Sequence, residues 1–250
     1  MSVRSGRRRK RPLSLTTLLR RAGPGLLDLV FPPHCLLCDQ PGTPLCGDCC
    51  QNFPRVTPPI CQLCGRPIDV PEFCRSCRRM PLAIDGIRSV FLFEGGVRKA
   101  IHRLKYDDRH SLAVTLAQSM ADHWRSNPMS SDLLAPVPLH PVRQRERGYN
   151  HADLLARALG DMISLPVVTD GFKRVRHTQP QASLNAADRR DNVQGAFAYQ
   201  SRLNNTISGR RIVVVDDVCT TGSTLEACSL ALKAAGASAV WGFTLACAVR

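Results

Sequence analysis

The sequence predicts an α/β fold, a mostly parallel sheet flanked by helices and preceded by a small cysteine-rich module. Three observations carry this. Ile212 to Val215 is β-branched throughout without polar alternation, as expected of a parallel strand buried on both faces. Strand-like and helix-like segments alternate on either side of it. Ahead of them, four Cys-x-x-Cys pairs crowd between Cys35 and Cys77.

Residues 1–30 read as a basic tail and lead-in helix. Arg4, Arg7, Arg8, Arg9, Lys10 and Arg11 precede Leu13, Leu15, Leu18 and Leu19. That order resembles a signal peptide, but Arg20 and Arg21 break the apolar run and no export cleavage pattern follows. No stretch approaches the roughly 20 apolar residues of a membrane span. The protein is therefore expected in the cytoplasm. The formal charge of +14 is uneven, about half of it in this tail, a solvated arm whose sharper use would be contact with nucleic acid or anionic membrane.

Residues 31–80 form the cysteine module. Two residues between thiols let a pair share one metal, and two pairs complete a tetrahedral zinc site with four thiolate ligands. In chain order, Cys35, Cys38, Cys46 and Cys49 close one ribbon, and Cys61, Cys64, Cys74 and Cys77 another. Phe31, Phe53 and Phe73 are the only aromatics, so a core alone is too thin and metal supplies folding energy. Two structural zinc ions are expected, with one as the lesser alternative. A disulfide module is the rival, and it needs an oxidising compartment. Cys50 is a possible substitute for Cys49, and His34 reads as a turn residue.

Residues 81–250 supply the main domain. Ile87 to Phe93 reads as a strand, Val97, Ile101 and Leu104 share a helical face, and Ser111 to Trp124 makes a second helix. Leu133 to Leu139 is a short strand cut by Pro136 and Pro138, and Ala152 to Leu159 is helical. Pro166 to Thr169 and Ala196 to Tyr199 are weak strands, and Val240 to Ala248 is the last. After Ile212 to Val215 come Asp216 and Asp217, at the strand end where open α/β sheets bind ligands. Thr220, Thr221, Gly222, Ser223 and Thr224 lead into a helix bearing Leu225, Cys228, Leu232 and Ala235, which Gly236 stops. Such a loop aims N–H groups and hydroxyls at a phosphate, and neighbouring carboxylates suit a sugar diol. The pattern reads as a site for a phosphorylated ribose.

Two polar segments are candidates to complete it. Val137 to Asn150 contains Arg143 and Arg147, which suit a pyrophosphate through charge-assisted forks. Arg174 to Asn192 is long and polar, as an active-site flap would be. Each reads equally as a solvated surface segment. His140, His151 and His177 lie near these loops as candidate proton carriers, although solvated histidines are commoner. Tyr149 suits either stacking on a base or packing at a helix start.

The stretch from Ile212 to Thr224 resembles the signature of type I phosphoribosyltransferases. The resemblance implies that Asp216 and Asp217 hold the ribose hydroxyls of phosphoribosyl pyrophosphate (PRPP), that Thr220 to Thr224 cradle its 5′-phosphate, and that Mg²⁺ accompanies it. Leu27 to Cys35, the paired cysteines, Leu104-Lys105-Tyr106, Arg147 to Asn150, Thr178 to Gln181 and Arg189 to Asn192 together resemble the ComF family of competence-associated proteins. That family implies a type I phosphoribosyltransferase-like fold behind a double zinc ribbon, and a link to DNA uptake. It supplies no acceptor. Two functions follow as expectations: phosphoribosyl transfer to a base or amine, or a PRPP sensor or scaffold that engages single-stranded DNA or competence-machinery proteins.

Overall fold

The computed structural model describes residues 32–70, 72–106, 110–176, 192–200 and 207–249. The basic tail, the lead-in before Pro32, His177, Thr178 to Gln181 and Arg189 to Asp191 lie outside them. The chain divides into two compact units, Met1–Cys46 and Gly47–Arg250.

In the first unit a knuckle is built on backbone bonds. Cys35 N–H donates to the Gln40 carbonyl at 2.8 Å, and Leu36 N–H to Pro44 at 3.0 Å. His34 meets the Asp39 carboxylate at 3.2 Å, which fits its expected place in a turn. Leu45 is buried.

The second unit opens with α1 (Gly47–Gln51), followed by a second knuckle and α2 (Arg75–Arg79). Cys61 N–H donates to Arg66 O at 2.8 Å, and Gly65 N–H to Cys61 O at 2.9 Å. This knuckle lies on β1 (Gly86–Leu92), where Ile87 N–H donates to Leu63 O at 2.7 Å. Upstream chain follows the same strand, with Val56 N–H bonded to Val90 O and Leu92 N–H to Pro54 O. Gly65 takes φ +67°, and a Cβ there would stand 2.2 Å from Ile87 O. Gly65→Ala is expected to cost more than about 2 kcal/mol, since left-handed backbone and a backbone collision act together. Urea unfolding of both proteins checks this, and an unchanged midpoint would contradict it.

After β1 come α3 (Gly95–Tyr106), α4 (His110–Ser126), β2 (Leu133–Pro136), α5 (Pro141–Arg147) and α6 (His151–Ile163). The chain continues through β3 (Phe172–Arg174), β4 (Phe197–Tyr199), β5 (Arg211–Cys219), α7 (Ser223–Ala234) and β6 (Ala239–Cys247). The main sheet is entirely parallel, in the order β1-β6-β5-β2, and β3 and β4 form a separate antiparallel pair. Ile212 and Val214 share a core with Leu225, Cys228 and Leu232 of α7. Val213 and Val215, equally buried, point to the opposite face by strand alternation, and α6 packs along this strand.

Several elements differ from expectation. Pro166 to Thr169 makes only a bridge between Val167 and Leu134, because Pro166 has no N–H to continue a ladder. β2 stops at Pro136, although Val137 N–H still reaches Val215 O. The segment after it, read as a loop, contains α5, with Pro141 in its first turn and Gly148 left-handed at its end. Phe172–Arg174 is a strand by virtue of its partner β4, a non-local pairing. Among the described residues, no helix is long and apolar enough to cross a membrane.

Candidate functional site

β5 is longer than its apolar run. β6 continues the ladder beyond it, pairing Asp216 with Thr244, Val218 with Ala246 and Cys219 with Cys247. On the other side β2 has ended opposite Val215. The acidic pair therefore belongs to the strand on one edge and to the open sheet end on the other. Alternation buries Asp217 and leaves Asp216 partly exposed.

The loop then turns at Gly222, whose φ of +84° suits glycine and where a Cβ would stand only 2.8 Å from Leu82 Cδ1. No side chain caps α7 from that position. Thr221 Oγ1 and Ser223 Oγ lie 2.8 Å apart at the helix start. A cleft here is lined by Asp216, Cys219, Thr220, Gly222, Ser223 and Thr224. The Thr221 hydroxyl takes only the first helical N–H, that of Ser223, at 3.4 Å, so a twelve-residue helix start flanked by hydroxyls and an acidic side chain has the polarity to receive an anion carrying hydroxyl groups.

The two carboxylates differ in charge state. Lys105 Nζ pairs with Asp217, and His151 Nε2 lies 3.5 Å from the other Asp217 oxygen. Burial works against ionising Asp217, but Lys105 and His151 outweigh it and hold its carboxyl far below the usual range. Lys105 is likewise opposed by burial and kept charged by Asp217. Burial, reinforced by the Asp217 charge, pushes Asp216 up to about 8. His151, Asp216 and Asp217 each bring a ligand atom within 4.8 Å of the others.

The predicted arginines reach this neighbourhood unequally. Arg147 Nη1 lies 3.3 Å from His151 Nδ1, one turn along the chain. Arg143 pairs with Glu146 at 3.5 Å, which partly compensates its charge. Arg174 of β3 lies near enough to Asp216 and Arg143 for their charges to act on it, and its guanidinium sits over Phe197. Tyr149 donates its hydroxyl to Leu104 O at 2.6 Å and is half-buried. Beside them lies a cavity of about 870 Å³, whose lining includes His140, Gln144, Tyr149, Asp170, Lys173 and Arg174. Sequence reasoning placed Lys105 only within the Leu104-Lys105-Tyr106 motif and gave it no role.

The thiols fit tetrahedral zinc. With Zn–S bonds near 2.3 Å, sulfurs stand about 3.8 Å apart. Cys38 and Cys46 sulfurs are 3.6 Å apart in the first unit, where Cys46 N–H also points at Cys35 Sγ. In the second unit the Cys61, Cys64, Cys74 and Cys77 sulfurs lie within 4.8 Å of one another, with Cys64 and Cys74 at 3.7 Å. A hydrogen bond from the Cys77 thiol lowers Cys64 to about 5, and the same bond, with burial, raises Cys77. No disulfide joins any of the twelve cysteines.

Fold and thiol sets define a phosphoribosyltransferase-type domain carrying a zinc-ribbon module. Residues 26–78 match the family described as a double zinc ribbon domain, and residues 145–249 the phosphoribosyl transferase domain. The chain is 32% identical over 210 residues to competence protein F of Haemophilus influenzae, covering 81% of this chain and 90% of that protein. It is 28% identical over 247 residues to competence protein ComFC of Bacillus subtilis, covering 90% and 97%. DNA utilization protein YhgH of Salmonella typhi is 31% identical over 221 residues, covering 85% and 96%. The chain belongs to the ComF family of competence proteins.

Proposed function

We propose that the β5–α7 site binds PRPP with Mg²⁺ and transfers its phosphoribosyl group to a nitrogenous base or amine, in the cytoplasm. The observation that carries this reading is the acidic pair feeding, through left-handed Gly222, the hydroxyl-flanked start of α7. The 5′-phosphate would lie against Thr220, Thr221, Gly222, Ser223 and Thr224. Asp216 would accept from a ribose hydroxyl, while Asp217, held by Lys105, opposes the positive charge that develops at the anomeric carbon. Arg147 and Arg143 would stabilise the departing pyrophosphate. Magnesium, when bound, would neutralise charge on that leaving group. The names of the relatives extend the proposal to a role in handling incoming DNA.

A second reading, PRPP sensing without turnover, is favoured by the prior engagement of Asp217 with Lys105 and His151. Calorimetry with PRPP and Mg²⁺, followed by pyrophosphate release with bases, amines and single-stranded DNA, separates the two. Binding without release under any acceptor would select the sensor. No binding at all would end both.

Above about pH 8, where its carboxylate is formed, Asp216→Asn is expected to weaken PRPP binding about tenfold by removing a charge-assisted bond. Thr221→Val should cost less, since backbone N–H groups remain. Because Asp216 is protonated below about 8, affinity should rise as pH climbs from about 6 to about 8.5, as its carboxylate forms. The Asn variant should flatten that rise. An unchanged affinity, or an equal pH slope in both proteins, would remove Asp216 from the site.

A further inference from the structure

We propose that Arg66 is a positioning residue through which the second zinc ribbon sets the shape and polarity of the phosphate loop. The inference rests on the reading of that loop as a phosphate site. Arg66 Nη2 donates to the Thr220 carbonyl at 2.7 Å, spanning from the ribbon to the loop. In a trans peptide the carbonyl of one residue and the N–H of the next point in opposite directions. With Thr220 O drawn toward the ribbon, the N–H of the same peptide, that of Thr221, is aimed away from the ribbon, and Thr220 itself lines the cleft. The guanidinium also polarises that peptide, strengthening its N–H as a donor.

Arg66 is itself placed by metal-ligand geometry. It follows Cys64 by two residues, and its carbonyl accepts from Cys61 N–H at 2.8 Å, so the two thiols and the arginine belong to one tight knuckle. Gly65 lets that knuckle press onto β1 at Ile87. A second set of contacts braces the same region. Leu82 fills the space at Gly222, Glu226 of α7 accepts from Ala83 N–H at 3.0 Å, and Ser229 Oγ donates to Ala83 O at 3.1 Å. The ribbon and the chain leaving it thus hold the loop at Thr220 and Gly222 and hold α7 at Glu226 and Ser229.

Ribose 5-phosphate probes the loop without pyrophosphate or magnesium. Its binding should be measured by calorimetry on the full chain as wild type, Arg66→Ala and Arg66→Gln, with zinc content and thermal midpoint recorded for each. Arg66→Ala is expected to bind about tenfold more weakly at unchanged zinc content. Arg66→Gln, which keeps an N–H donor without the charge, should fall between. A zinc-selective chelator should weaken wild-type binding and add little to the loss already present in Arg66→Ala. Wild-type affinity in Arg66→Ala would overturn the coupling alone. Absence of ribose 5-phosphate binding by the wild type would overturn the phosphate-site reading as well. Should Arg66→Ala fail to fold, the Gln variant decides: full wild-type affinity there, at full zinc content, overturns the role of the charge.

Discussion

Lys105→Met is expected to destabilise the folded protein by about 3 kcal/mol at pH 7, because it strands the buried Asp217 carboxylate. His151 remains 3.5 Å away, which places the loss toward the lower end for a broken buried pair. The sign of the pH dependence follows from Asp217, whose folded carboxyl is held below its unfolded value. Its contribution is present above about pH 4 and is lost as pH falls below that range. The gap between wild type and variant should therefore narrow in acid. Adding Asp217→Asn to Lys105→Met should recover most of the lost stability, since no buried charge is then left alone. Urea titrations at several pH values measure all three proteins, and a single variant as stable as wild type at pH 7 would show that the pair is not a structural element.

The second large effect is expected from Cys64→Ser. A structural zinc contributes its binding free energy to folding, on the order of 10 kcal/mol in small ribbons. Losing one of four thiolates should reduce bound zinc from about two ions per chain to about one. The knuckle holding Leu63 against Ile87 should loosen with it. Elemental analysis and a thermal scan are the readouts. A variant that retains two zinc ions would refute the assignment of Cys61, Cys64, Cys74 and Cys77 as one closed site.

The fold was legible wherever the pattern was local. The β-branched run gave β5, the Cys-x-x-Cys spacing gave the thiol sets, and the glycine and hydroxyls gave the turn into α7. What escaped depended on partners far along the chain. β5 runs four residues past its apolar run because β6 has residues to pair with them. β3 exists because β4 lies opposite. Lys105 was legible only within the Leu104-Lys105-Tyr106 motif, without a role, because its meeting with Asp217 is a product of the tertiary fold. Arg66 was hidden similarly, as one charged residue in a ribbon already explained by its cysteines. The short helix α5 was the readable miss, since Pro141 and Gly148 are ordinary start and stop signals.

β1 occupies the margin of the main sheet, with β6 on one side and no further strand of that sheet, among the described residues, on the other. A bare parallel margin of this kind is a template for joining strands of another molecule. Here the outer peptide groups are engaged by Leu63, Val56 and Pro54 instead. The metal-bound module thus serves the colloidal life of the protein as well as its architecture. A chain made when zinc is scarce would emerge with a sticky border, and self-association would compete with its folding.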